Sequence, residues 1–290
     1  MGRPMAVNLI KAGHSVRAFS RTEGSREAAD SQGVPIAKTI AEAVTGADFV
    51  ITMLPDSPDV ERVALGEGGV LANIAPGAVY IDMSTISPGT SLELHRKFSE
   101  IGIGVLDAPV SGGESAANDG TLSIMVGGNE EDFDAAQDVL GAVGTTIVRV
   151  GDAGAGQVVK AANQIMVAGH LQMLAEALIF LRAHDVDGRL ALSVIGQGLA
   201  GSTVIARKQN AFLDENFTPG FRINLHHKDL GIAQKAAREK GIALPATALV
   251  AELVQSLVAQ GFGNLDHSAL YLLADQLNST HHRLSSISPS

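Results

Sequence analysis

Along the first half of the chain, short β-branched runs alternate with stretches whose apolar residues recur at three- and four-residue spacing. The runs Val16–Phe19, Phe49–Met53, Val79–Asp82, Ile103–Pro109, Leu122–Val126 and Thr146–Val150 predict strands. Between them, Pro4–Ala12, Ser25–Asp30, Thr90–Ile101 and Glu130–Leu140 predict helices. Strands that alternate with helices imply right-handed crossovers and a largely parallel sheet. After about Val150 the pattern changes. From Gly156 to Leu277 only long helical periodicities remain, with breaks at Asp185–Gly188, Gly196–Gly201, Asn216–Gly220, Gly241–Pro245 and Gly261–Asp266. The expected architecture is a doubly wound α/β domain over residues 1–150 and an all-helical domain over 151–290. The tail from Ser279, rich in Ser and His, is expected to fray.

A helix from about Gln157 to Ala183 would be roughly 40 Å long at 1.5 Å per residue. It is apolar on most faces, so it needs cover all round, and a second subunit is the expected source, as a homodimer or homotetramer. Within it, Ile165–Leu181 is the longest apolar stretch, but His170, Gln172 and Glu176 argue for a buried helix and against a membrane span. No basic, then apolar, opening suggests a signal peptide, so a cytoplasmic protein is expected. With no cysteine, disulfides, thiolate metal sites and cysteine nucleophiles drop out. The formal charge is −10 without a basic run, which weighs against nucleic acid. An anionic small molecule remains possible where a few cations and backbone N–H groups converge.

Gly112 and Gly113 follow Ser111 in Asp107-Ala108-Pro109-Val110-Ser111-Gly112-Gly113. A hydroxyl followed by two unhindered N–H groups suits a carboxylate. In Gly154-Ala155-Gly156-Gln157-Val158-Val159-Lys160-Ala161-Ala162-Asn163-Gln164, Asn163 and Gln164 share Lys160's side of a helix. A lysine on a buried helix is costly unless it has a partner or a task. If burial lowers its pKa, it can exchange a proton with a carbonyl or alcohol oxygen.

These motifs, in this order, resemble the β-hydroxyacid dehydrogenase family from Gly2 to about Leu277. The segment Met1–His14 resembles the end of a Gly-x-Gly-x-x-Gly fingerprint, with Gly2 as the third glycine, which allows close helix–strand packing. The family has a strand and two more glycines before this point, so a reading frame that begins upstream is expected; a truncated, non-catalytic remnant is the alternative. The resemblance assigns cofactor contacts to Arg21 and Thr22, to Leu54 and Pro55 in Ile51-Thr52-Met53-Leu54-Pro55, and to Thr85 in Asp82-Met83-Ser84-Thr85-Ile86-Ser87-Pro88. An arginine without an acid at position 21 suits the 2′-phosphate of NADP, with NAD possible. Lys160, Asn163 and Gln164 become the catalytic group, and Ser111, Gly112 and Gly113 hold the substrate's carboxylate. Lys228, in Phe221-Arg222-Ile223-Asn224-Leu225-His226-His227-Lys228-Asp229-Leu230, becomes a further substrate and cofactor contact.

That stretch and Asn264–Leu270 look most like tartronate semialdehyde reductases, which implies reduction of tartronate semialdehyde to glycerate. 3-Hydroxyisobutyrate, glyoxylate and succinic semialdehyde are the alternatives within the class. His226, His227 and Asp229 suggest a metal at first sight, but adjacent helical histidines diverge and Lys228 repels a cation, so none is expected.

Overall fold

The computed structural model describes residues 1–278; the expectation for the tail from Ser279 lies outside them. The chain divides into two compact units, one of residues 1–160 and one from Ala161 onward.

The first unit runs α1 (Gly2–Lys11), α2 (Glu23–Asp30), α3 (Ile40–Val44), β1 (Phe49–Thr52), α4 (Ser57–Leu65), β2 (Val79–Asp82), α5 (Pro88–Ser99), β3 (Gly104–Asp107), β4 (Val110–Ser111), α6 (Gly113–Asp119), β5 (Leu122–Gly127), α7 (Glu130–Ala135), α8 (Gln137–Gly141) and β6 (Gly144–Gly151). The sheet order is β1-β2-β3-β5-β4, with β6 also on β5. β1, β2 and β3 are parallel, β5 is antiparallel to β3 and β4, and β6 is parallel to β5. The sheet is therefore open and mixed. Both faces of its centre are covered: Val79 and Ile81 of β2 enter one apolar cluster, Tyr80 between them the other. That is why these strands read as continuous apolar runs. Tyr80 stacks on Phe98 of α5 with ring centroids 4.4 Å apart.

Two expected strands differ. Val16–Phe19 contributes only one bridge, Ala18 to Ile36; among the described residues no strand lies beside it to extend the ladder. The run Ile103–Pro109 breaks into β3 and β4. Pro109 has no N–H to donate, and its carbonyl accepts from Met125 as the chain turns. Helix starts follow local capping: Ser87 precedes Pro88 and accepts the Thr90 N–H at 3.0 Å, and Asn129 accepts that of Asp132 at 2.7 Å.

Helix α9 (Ala155–Ala183) begins in the first unit and runs on into the second. It is followed by α10 (Gly188–Ile195), α11 (Thr203–Leu213), α12 (Ile223–Glu239), α13 (Pro245–Ala259), a 3-10 turn (His267–Ala269) and α14 (Leu270–Asn278). The breaks fall where glycine, proline and helix-capping residues interrupt the periodicity. Asp187 and Ser202 cap α10 and α11. The core of this unit joins Leu171, Leu174 and Leu178 of α9 to Phe212, Leu230, Val254 and Leu270. By length and composition alone α9 would span a membrane, a property that core helices of globular proteins share. One side of it leaves Met166, Met173 and Phe180 exposed by 62%, 57% and 65%, spaced seven residues apart.

Candidate active site

In the first unit, β2 and β3 end side by side on two buried acids, Asp82 and Asp107, which are partners in register. Asp82 Oδ1 accepts from the Thr52 hydroxyl at 2.7 Å and the Ser84 N–H at 3.3 Å. Thr52 spends its one proton there, so Tyr80 must donate to Thr52 Oγ, 2.7 Å away. Asp82 Oδ2 has no hydrogen-bond partner. Burial raises the Asp82 pKa to about 6, against the pull of its Ser84 and Thr52 bonds; nearby Asp107 adds to the rise. Burial, helped by Asp82, also raises that of Tyr80.

Asp107 is satisfied differently. Oδ1 accepts from Gly154 N at 2.8 Å and Oδ2 from Gln157 N at 3.0 Å, while His95 Nε2 lies 3.1 Å from Oδ1. It thus caps α9, one turn before Lys160. Lys160 is 6% exposed and buried on that helix. The amide of Gln157 spans the turn after β2: Nε2 donates to the Ser84 carbonyl at 2.8 Å and Oε1 accepts from Ile86 N at 3.1 Å. Thr85 sits between those two.

The other expected positions of this unit fall at strand ends and helix starts. Leu54 N donates to Ser84 Oγ at 2.8 Å, with Pro55 next to it after β1. Ser111 ends β4. Gly112 and Gly113 have φ of 134° and 70°, and Gly113 opens α6, so the expected nest is also a helix start, whose first N–H groups lack intrahelical acceptors. A Cβ on Gly112 would come within 2.5 Å of that of Ala116, so the turn needs glycine. Gly2 opens α1, but a Cβ there would meet Met53 at 3.5 Å, an ordinary contact; the close packing expected of this glycine does not require it here. Arg21 holds its guanidinium 3.7 Å from Asp59 with the side chain 75% exposed, and Thr22 donates to Ser25 Oγ at 2.7 Å at the start of α2. An exposed arginine before a helix N-terminus fits an anionic dinucleotide.

In the second unit, Asn163 Nδ2 donates to Gln164 Oε1 at 2.8 Å, and Gln164 Nε2 donates to Asp229 Oδ2 at 2.5 Å. The Gln164 amide nitrogen thus ties α9 to α12. Asp229 Oδ1 lies 2.9 Å from Lys228 Nζ, an ion pair by distance though not aligned as a hydrogen bond. The fully buried His226 meets His267 Nδ1 to Nδ1 at 3.2 Å, and its Nε2 lies 3.3 Å from the Gln164 carbonyl. That carbonyl needs a proton on His226 Nε2, so in the neutral pair His267 donates from Nδ1. Burial, then His226, lowers the His267 pKa. Asp266 is held low, at about 2: burial opposes this, but His267, Lys208 and donors such as Phe221 N outweigh it.

The residues 1–151 match the family described as the NAD binding domain of 6-phosphogluconate dehydrogenase, and 154–274 match the NAD-binding domain of NADP-dependent 3-hydroxyisobutyrate dehydrogenase. The chain belongs to the β-hydroxyacid dehydrogenase family. It is an NAD(P)-dependent oxidoreductase. It is 38% identical to 2-hydroxy-3-oxopropionate reductase of Escherichia coli over 93% of this chain and 92% of that one. It is 37% identical to 2-(hydroxymethyl)glutarate dehydrogenase of Eubacterium barkeri over 96% and 92%. A solved structure of Mycobacterium tuberculosis 3-hydroxyisobutyrate dehydrogenase with L-serine superposes with a TM-score of 0.86 at 34% identity, covering 94% and 95% of the two chains. The names of these relatives point to different substrates.

Proposed function

We propose that this β-hydroxyacid dehydrogenase reduces tartronate semialdehyde to glycerate, with NADPH preferred over NADH. One observation carries the choice of substrate. The two stretches that look most like tartronate semialdehyde reductases fold on each other in the second unit. Arg222 bridges Asp266, Ile223 N donates to the Leu265 carbonyl at 2.9 Å, and His267 N donates to that of Phe221 at 2.9 Å. Two short sequence likenesses thus form one structural element, which also carries Lys228 and Asp229. The 38% identical 2-hydroxy-3-oxopropionate reductase, whose named substrate is tartronate semialdehyde under its systematic name, supports the same reading.

When bound, NADPH would supply the hydride for the aldehyde carbon. Lys160 gives a proton from Nζ to the aldehyde oxygen, so the product leaves as the neutral alcohol. The Ser111 hydroxyl and the N–H groups of Gly112 and Gly113 hold the substrate's carboxylate. In the second unit, Lys228 adds positive charge for an anionic ligand in an acidic protein. Leu54, Pro55 and Thr85 would border the dinucleotide, and Arg21 would hold its 2′-phosphate. The exposed stripe of Met166, Met173 and Phe180 packs on a second copy of the chain.

A panel with both cofactors tests the substrate. Tartronate, succinic and methylmalonate semialdehydes and glyoxylate are assayed as reductions, with L-serine and 3-hydroxyisobutyrate as oxidations. Tartronate semialdehyde is expected to give the highest kcat/KM; a higher value for another compound moves the assignment to it.

A further inference from the structure

The first turn of α9 is built into the sheet by three side chains that none of the proposed catalytic roles uses. Asp107 takes both the Gly154 and Gln157 N–H groups on its two oxygens, a cap supplied from 47 and 50 residues away. Its charge also suits the positive end of the helix. His95 lies on the same carboxylate. Gln157 itself, 1% exposed, acts like a short piece of strand: its amide pairs with the carbonyl before Thr85 and the N–H after it. The spacing allows nothing bulkier than glycine around the cap. A Cβ on Gly156 would stand 2.5 Å from the Asp107 carbonyl oxygen and 2.8 Å from Oδ2. A Cβ on Gly127 would stand 2.5 Å from Oδ1. Of the Gly-x-Gly that precedes Lys160, Gly156 is therefore explained by helix seating, and Gly154 by its φ of 82°.

We infer that Asp107 and Gln157 are positioning residues of the reaction: together they fix the rotation and height of the first turn of α9, and with it Lys160, relative to the turn that carries Thr85. This rests on the proposed roles of Lys160 as proton donor and Thr85 as a cofactor contact. Lys160 follows Gln157 by three residues, less than one helical turn, so a slip of the turn moves the lysine directly. Misplacement by about 1 Å can cost about a hundredfold in rate.

Gln157→Leu and Gln157→Glu in the full chain test this, read by residue-resolved amide exchange and by the pH profile of kcat. In Gln157→Leu the amides of Ile86 and of residues 157–160 are expected to exchange at least about tenfold faster, and kcat to fall about ten- to a hundredfold. In Gln157→Glu the neutral carboxyl can donate to Ser84 and accept from Ile86 as the amide does. The carboxylate cannot donate, and burial beside Asp107 raises its pKa. Activity and slow exchange should therefore return as pH falls, an acid limb absent from the parent. A role in stability alone would lower the melting temperature of both variants without that limb. Normal exchange at Ile86 in Gln157→Leu, or fast exchange with normal kcat, overturns the inference. If the leucine variant does not fold, the glutamate variant decides through its pH limb. Lys160→Arg assayed alongside separates the two levels: normal kcat there removes the proton-donor reading, whereas normal kcat in Gln157→Leu alone removes only the positioning role.

Discussion

Gln164 Nε2 and Asp229 Oδ2 are 2.5 Å apart, and that bond joins α9 to α12 inside the second unit. Asp229 is 3% exposed and is charge-balanced by Lys228. Gln164→Leu removes a donor to a buried carboxylate and should cost about 1–3 kcal/mol. Gln164→Glu sets two carboxyl groups in one place, so one proton must be retained. Its stability should be poor at pH 8 and recover toward pH 5, measured as the melting temperature at both. A Gln164→Glu variant equally stable at the two pH values would show that the bond does not bear on the fold.

Asp82 and His267 should act on stability with opposite signs. The folded-state pKa of Asp82 is raised to about 6 from 3.8, so between those values the folded chain holds more protons than the unfolded one, and stability falls as pH rises. The shift corresponds to about 3 kcal/mol. Asp82→Asn keeps an acceptor for Thr52 and Ser84 and should remove this loss, gaining stability at pH 7 relative to pH 4. His267 is lowered below 6.5, so the unfolded chain binds the extra proton and stability falls as pH drops below that value. Chemical denaturation of the parent and Asp82→Asn across pH 4–8 checks both signs. A parent and variant with parallel curves would remove the Asp82 assignment.

Arg21→Ala should weaken NADPH about ten- to a hundredfold, since a charged hydrogen bond to phosphate is worth roughly 1.5–3 kcal/mol, and leave NADH nearly unchanged. Titration calorimetry with each cofactor measures this. Equal loss for both would make Arg21 part of the loop's own structure through Asp59.

Met166→Glu with Met173→Glu should shift the chain toward monomer in light scattering, because burying two carboxylates against a second copy is costly. An unchanged mass would contradict the proposed packing of this stripe on a second copy.

The fold was legible where one periodicity held over many residues. The strands at 49–52, 79–82 and 122–127 and the whole helical unit follow directly from the pattern. Residues 16–19 carry the same β-branched signal, but strands need neighbours as well as propensity, and only Ala18 finds one. The antiparallel direction of β5 was hidden, since direction is set by connections and not by side-chain pattern. At the site, the motifs single out Lys160, and Asp107 and Gln157 stand in them only as framing residues. Their partners lie 47 to 73 positions away, beyond any local spacing rule. The signal present was an acid closing a wholly apolar strand, where a buried carboxylate needs donors. The His226–His267 pair spans 41 positions and left no comparable trace.

Lys160 is proposed to move the proton, and steady-state kinetics of Lys160→Met and Lys160→Arg put this to the test. Both variants should lower kcat about 10²–10⁴-fold, the usual scale for positioned proton transfer, with the dissociation constant for NADPH nearly unchanged. Arginine should fail almost as badly as methionine, because guanidinium keeps the charge but does not release a proton near neutral pH. A Lys160→Arg enzyme with near-normal kcat would remove Lys160 from the proton-transfer role.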